Sequence, residues 1–382
     1  MKIQFDITLP EEIKTLHSAF KKHARKLYVV GGAIRDTLLG KIPKDFDLTT
    51  EATPEEVVNI LNREGIKSFP KGESFGVVSA VINGEEFEIA TFREESYENG
   101  DGRRPTSVDY STMEKDVLRR DLTINALYYD IDKKEIIDLV GGVEDLKNKT
   151  VKPVGSPMAR FEEDRLRVLR AIRFSHRLGS KLDSETIEAI KHFKDLPGVS
   201  SERISAEFIS GLKSAVKPED YLEDYKLFGL LPRVFNGASL NTNFIPGLKD
   251  STIVIANILL PNRIDSSIET LKKFKASSEM INNIKFLLLL KERFQDFDKL
   301  SFIPNVDGKW LISLKKFLDK ITISKEQIQE WSNIHNIDMG LVDKFIRFAP
   351  SMTAKDFPEI KPGPELGHVI TTTNAQLFLD SL

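Results

Sequence analysis

The sequence predicts an α+β protein: a small mixed α/β head over residues 1–150, then an elongated all-helical neck (151–215), body (216–300) and tail (301–382). Three observations carry this expectation. Strand-like and helix-like segments alternate up to about residue 150. A paired glycine closes an apolar strand-like run near the start. Beyond Val154-Gly155-Ser156-Pro157 the apolar spacing turns helical and stays so.

The first element is the run Leu27-Tyr28-Val29-Val30, a strand that ends at Gly31-Gly32 and leads into a helix through Ala33-Ile34-Arg35-Asp36. Glycine lacks a Cβ, so its backbone can approach a bulky anion, and a helix N-terminus offers free N–H groups to phosphate oxygens. Asp45 and Asp47 then flank Phe46 in a second short strand-like run, where side chains two apart share a face. Adjacent carboxylates repel unless a cation lies between them, and magnesium is held this way when it also carries substrate phosphates. A phosphate cradle followed by paired acids implies nucleotidyl transfer.

Thr53-Pro54-Glu55-Glu56 supplies an N-cap, a first-turn proline and early acids for a helix toward Asn62. Val77–Ile82, the turn Asn83-Gly84 and Phe87–Phe92 read as a β-hairpin. Ala126–Asp130 and Glu135–Leu139 read as a second strand pair. Between the pairs, Asn99-Gly100-Asp101-Gly102-Arg103-Arg104-Pro105 has the composition of a mobile loop. Helical spacing follows at 162–178, 184–193, 201–215 and 268–292, with an Asn- and Gly-rich loop at 236–250. On a helix, Asp164, Arg167 and Arg170 share one side; Leu166, Leu169 and Ile172 form part of an apolar flank.

Composition sets the boundaries. The 382 residues are 40% hydrophobic and 30% charged, ordinary for a globular protein and enough for several cores. There is no cysteine, which excludes disulfides and thiolate-bound metals. No apolar run approaches the roughly 18 residues a membrane span needs, and the N-terminus has no signal-peptide core, so a cytoplasmic protein without membrane partners is expected. The net charge of −3 argues against a tight DNA binder, while a local basic track from Arg160 to Arg177 leaves room for a rapidly released RNA.

The stretch Val29–Val57, with Leu38-Leu39-Gly40 and Thr49-Thr50-Glu51-Ala52-Thr53-Pro54-Glu55, resembles the nucleotidyltransferase superfamily, in the branch of bacterial-type (class II) CCA-adding enzymes and bacterial poly(A) polymerases. The resemblance is strong across about residues 27–210. It implies template-independent addition of C, C and A to the tRNA 3′ end from CTP and ATP, with two magnesium ions on Asp45 and Asp47. Leu118-Arg119-Arg120-Asp121-Leu122-Thr123-Ile124-Asn125-Ala126 is similar to the family motif in which Arg120 meets the triphosphate and Asp121 accepts the ribose 2′-hydroxyl, with Asn125 in the same nucleotide-binding set as Gly32 and Arg35.

By the same resemblance, Glu163-Asp164-x-x-Arg167 implies base reading by Asp164 and Arg167, with Arg170 and Arg173 holding phosphates or shaping the pocket. Glu202-Arg203-x-x-x-Glu207 implies structural support, Arg203 and Glu207 clipping one helix turn. Arg93, Tyr97, Arg103 and Arg104 fall in the family's flexible loop, whose presence favours adenosine addition. Lys71-Gly72-Glu73-Ser74-Phe75-Gly76-Val77 looks more like CCA enzymes than poly(A) polymerases, the alternative reading, beside an enzyme completing CC-ended tRNA. Pro362–Ile370 resembles the family's tail. Lysines 309, 315, 316, 320 and 325, with Trp310 and Phe317, are candidates for tRNA phosphates along the acceptor stem and elbow. No His-Asp dipeptide occurs, so the phosphohydrolase module of some relatives is expected to be absent.

Overall fold

A computed structural model describes residues 1–71, 76–96 and 107–382. The chain divides into two compact units, Met1–Arg233 and Val234–Leu382, a division inside the stretch expected to be the body. The mixed head and the helical remainder agree with the expected fold class.

In chain order the first unit contains β1 (Lys2–Gln4), α1 (Glu11–Lys22), β2 (Tyr28–Val30), α2 (Gly32–Leu38), β3 (Asp47–Thr50), α3 (Pro54–Arg63), β4 (Lys67–Pro70), β5 (Val77–Ile82) and β6 (Glu85–Thr91). Then come β7 (Arg93–Ser96), β8 (Ser107–Tyr110), α4 (Met113–Asp116), β9 (Leu127–Asp130), β10 (Glu135–Asp138), α5 (Gly142–Lys147) and β11 (Thr150–Val151). Helices α6 (Pro157–Glu163), α7 (Leu166–Leu178), α8 (Ser184–His192), α9 (Ser201–Ser214) and α10 (Pro218–Leu227) follow, with the short strand β12 (Lys181–Leu182) between α7 and α8.

One sheet organises the head, in the order β1-β10-β9-β2-β3-β6-β5-β4. Only β3 and β6 pair in parallel within it. The expected hairpin forms as β5–β6, its second strand starting at Glu85 rather than Phe87, with Ile82 opposite Glu85 across Asn83 (φ 54°) and Gly84 (φ 84°), the two positive-φ positions of a tight hairpin turn. Thr53 caps α3 in a reciprocal capping box with Glu56, behind Pro54. A core of Ile13, Leu16, Phe20, Val29, Ile34, Leu48, Leu61, Ile89 and Tyr129 lies between the sheet and α1–α3.

The helix expected over 162–178 is two helices. Asp164 is extended (φ −144°, ψ 106°), and its carboxylate accepts from Leu166 N at 3.0 Å, capping the turn that opens α7. Asp164 therefore does not share a helix face with Arg167 and Arg170. Strand β12, pairing with β11, is likewise an addition to the all-helical reading.

After the junction helix α11 (Leu231–Val234), the second unit holds α12 (Ser251–Ile258), α13 (Ile264–Lys273), α14 (Ser278–Phe294), α15 (Pro304–Phe317), α16 (Lys325–His335), α17 (Met339–Arg347) and α18 (Pro364–Asp380). The helix expected over 268–292 is broken between α13 and α14, because Lys275 takes φ 61° and Ser277 starts a new helix by accepting from Met280 N. Phe294, Phe302, Trp310 and Phe345 form an aromatic cluster. Lys315 is not a free phosphate contact: it is half-buried, and its ammonium caps α17 through the carbonyls of Phe345 and Ile346. No helix among the described residues is long and apolar enough to cross a membrane.

His335 is 9% exposed, packs edge-on against Trp331 with ring centroids 4.1 Å apart, and has no partner for Nε2 among the described residues. Burial, helped by Lys291, pushes its pKa down to about 4. The buried ring is thus neutral, and its stability contribution is complete above the unfolded pKa near 6.5. It is lost as pH falls from there to about 4, a change of roughly 3 kcal/mol. Urea unfolding of the full chain should show a second-unit stability that declines across this window, and His335→Phe should flatten the decline. An unchanged slope in that variant refutes the assignment.

Candidate active site

A cleft of about 820 Å³ opens in the first unit where β2 meets α2, bordered by β3, α7 and the end of α9. Gly31 ends β2 with φ 78° and ψ −124°, a conformation glycine tolerates and other residues resist; its N–H donates to Leu127 O at 2.9 Å. A side chain there would also press on the Asn125 carbonyl at 3.4 Å. The turn brings Gly31, Gly32 and Arg35 into the cleft wall.

Asp45 and Asp47 line the same cleft, although Asp45 precedes β3 rather than lying on it. Both are exposed, and neither carboxylate accepts a hydrogen bond from a described residue. Desolvation at the cleft wall, reinforced by Glu88 and Asp45 against the pull of Arg120, lifts the Asp47 carboxyl above its usual range. Crowded like charges of this kind suit a cation. No group of three or more acidic, His or Cys side chains able to hold a metal exists among the described residues. A two-carboxylate set completed by substrate phosphates fits magnesium better than an all-protein cage.

The opposite wall is a held array of guanidiniums. Arg120 Nε reaches Tyr128 Oη at 2.9 Å, and its Nη2 reaches Asp116 Oδ2 at 2.9 Å. That leaves Nη1 without a partner on a residue that lines the cleft. Asp116 is fully buried and also accepts from Tyr128 Oη, Arg119 Nε and Arg93 N. Burial alone would raise its pKa, but Arg120 and Arg119 beside it hold the carboxyl below the usual range.

Asp121 sits next to Arg120 in the lining; its Oδ2 takes two bonds from Arg170 (2.8 and 2.6 Å), while Oδ1 accepts from Leu122 N and Asn125 Nδ2. Asn125 in turn accepts from Arg35 Nη1 at 2.5 Å, and Gly142 lets α5 seat against that turn: a Cβ there would lie 2.1 Å from Thr123 O. Arg173 is buried and bonded to Glu207. Arg35, Arg170, Arg173 and Arg177 all lie over the Phe174 ring, at 5.1, 5.6, 4.4 and 5.8 Å from its centroid.

The structure thus gathers Gly32, Arg35, Asp45, Asp47, Arg120, Asp121, Asn125, Arg170 and Arg173 around one cleft. Asp164 and Arg167 are absent from its lining. Arg167 is 7% exposed, donating to Arg119 O and Glu163 Oε2, and Asp164 pairs with Arg203 at 2.8 Å. Arg203 and Glu207 do not clip one helix turn as expected. Each instead ties α9 to α7 or the turn that opens it, Arg203 to Asp164 and Glu207 to Arg173. Arg93 belongs to β7, paired with Tyr110 of β8 and bonded to Glu95, rather than to a loop. Tyr97, Arg103 and Arg104, and Gly72 to Phe75, lie outside the described residues.

Reading the sequence missed Asp116, Tyr128, Asp36 and Lys213. Only Asp116 had a visible signal, its four-residue spacing to Arg120.

Residues 27–152 match the family model described as the poly A polymerase head domain. The CCA-adding enzyme of Bacillus pumilus (strain SAFR-032) is 44% identical over 203 residues, covering 53% of this chain and 48% of that protein, about half its length. The CCA-adding enzyme of Streptococcus pyogenes serotype M2 (strain MGAS10270) is 33% identical over 384 residues, covering 94% of this chain and 91% of its own. The solved Bacillus stearothermophilus CCA-adding enzyme in complex with CTP shares the fold at a TM-score of 0.66, with 24% identity over 97% of this chain and 93% of that one.

Proposed function

Because this chain belongs to the family of CCA-adding enzymes, we infer that it adds C, C and A to the 3′ end of tRNA from CTP and ATP, releasing pyrophosphate. The observation that carries the reading is the single cleft holding the paired acids, the glycine turn and the bonded arginine array together. In each addition the tRNA 3′-oxygen forms a bond to the α-phosphorus while the bond to the β-phosphate oxygen breaks.

Asp45 and Asp47 are the residues that would hold two magnesium ions, which when bound make the 3′-hydroxyl more acidic and offset charge on the pyrophosphate. Arg120, aimed by Asp116 and Tyr128, donates its open Nη1 to a phosphate oxygen. Gly32 leaves the backbone of the first α2 turn open to the triphosphate, with Arg35 beneath it. Asp121 accepts the ribose 2′-hydroxyl, which distinguishes ribonucleotides, while Arg170 fixes its orientation. Base selection by Asp164 and Arg167 involves exchanging their present bonds to Arg203, Glu163 and Arg119 for bonds to a base edge.

The test is incorporation onto tRNA lacking its 3′ CCA, in magnesium, with CTP alone, ATP alone and both. The expected product stops at three added residues and requires CTP first. A long ladder from ATP alone would instead mean poly(A) synthesis, and addition only to CC-ended tRNA would mean an enzyme completing the last position.

A further inference from the structure

The cleft carries two classes of cation. Arg35, Arg120, Arg170 and Arg173 are each held by carboxylate bonds. Lys41, Lys44 and Lys213 line the same cleft, are exposed, and make no side-chain hydrogen bond or ion pair among the described residues. Arg177 is 36% exposed along its side chain, and its one carboxylate partner, Asp36 Oδ2, is 3.4 Å away. The triphosphate reading uses none of these four.

We propose that Arg177 and Lys213 on one rim, with Lys41 and Lys44 on the other, bind the terminal phosphodiesters of the RNA strand being extended. The inference rests on the CCA-adding reading and assigns the second substrate's place in the same cleft. Two polyanions must meet at Asp45 and Asp47, and the held guanidiniums with the glycine turn are already engaged at the nucleotide subsite, Arg120 toward the triphosphate and Arg170 on Asp121. An RNA strand brings the remaining phosphates, and three lysines without a carboxylate partner among the described residues, with Arg177 held by one carboxylate at 3.4 Å, can take them at little loss of existing pairing.

The two classes are also adjacent. Asp36 bonds Arg35 through Oδ1 at 2.7 Å and faces Arg177 with Oδ2, and both guanidiniums lie over Phe174. A phosphodiester at Arg177 therefore sits beside the nucleotide subsite. Long, loosely held side chains suit a strand that must shift one nucleotide after each addition, because they can follow it. The fixed array, in contrast, must present one geometry to every incoming nucleotide.

The experiment compares the full chain with Arg177→Gln/Lys213→Gln and the charge-preserving Arg177→Lys/Lys213→Arg. It measures KM for tRNA lacking CCA, KM for CTP, and tRNA affinity by fluorescence anisotropy without nucleotide across a salt series. The Gln pair should raise the tRNA KM about tenfold, with the CTP KM and kcat within about twofold. The salt dependence of log affinity should become shallower by about 1.4, two single-strand contacts at roughly 0.7 each. The charge-preserving pair should restore most of the tRNA affinity. A rise in the CTP KM instead would assign the rim to the nucleotide, and unchanged values for both substrates would make these cations merely solvated; either overturns the proposal. Anisotropy reads RNA binding without turnover, so a wild-type chain that binds tRNA yet adds nothing would refute the CCA-adding reading and leave the rim assignment standing.

Discussion

Replacing Asp45 and Asp47 together with Ala should reduce nucleotide incorporation by at least about a thousandfold and leave the fold intact. Metal-borne charge stabilisation contributes several kcal/mol to a transition state, and each 1.36 kcal/mol is tenfold in rate. Neither carboxylate supports the fold through a hydrogen bond to a described residue, and both are exposed. The desolvation that lifts the Asp47 carboxyl, and the repulsion by Glu88 and Asp45 that adds to it, are relieved in the variant, so its urea midpoint should match or slightly exceed the wild type. Retained turnover in magnesium would sink the metal assignment. Lost turnover with a collapsed midpoint would make the acids structural instead.

Asp116→Ala should be the most destabilising single change around the cleft. Four donors converge on this fully buried carboxylate: Arg119, Arg120, the Tyr128 hydroxyl and Arg93 N. Removing it strands two guanidiniums in a poorly solvated site, and such broken pairs cost about 3–5 kcal/mol. For a unit of this size that is roughly 10 °C in Tm, measurable by calorimetry. Arg120 also loses its aim, so the KM for CTP in any folded fraction should rise about tenfold.

The pH dependence separates charge from shape. Asp116 has a folded pKa held below the unfolded value, so its contribution is complete above about pH 4 and is lost as pH falls through the folded value. Asp116→Asn should be less stable than wild type at neutral pH and should converge with it under acid. Parallel curves for the two proteins at all pH values would exclude the charge as the cause.

Local signals in the sequence were enough for much of the head. Asn83-Gly84 demands positive φ at both positions and sits between alternating apolar runs, so the hairpin and its register follow. Thr53-Pro54 marks the start of α3 because capping and proline geometry act within one turn. Helix breaks were harder to read. The chain from 162 to 178 has unbroken helical spacing, yet Asp164 leaves the helix to cap α7 and pair with Arg203, thirty-nine residues on. The Lys275 break between α13 and α14 was hidden for a similar reason: no glycine or proline marks it.

The sequence by itself determined the α+β head with its helical continuation, and the order of glycine turn, paired acids and Arg-Arg-Asp segment. Each of these depends on neighbours a few residues away. Only the tertiary structure decided which of the many arginines face the cleft and which carboxylate holds each one. Arg120 and Arg167 look alike in sequence, but one opens a guanidinium nitrogen to the cleft and the other is bonded to Arg119 O and Glu163. A guanidinium takes the direction of the carboxylates and carbonyls that compensate its burial, and those partners come from segments that meet only in the folded chain.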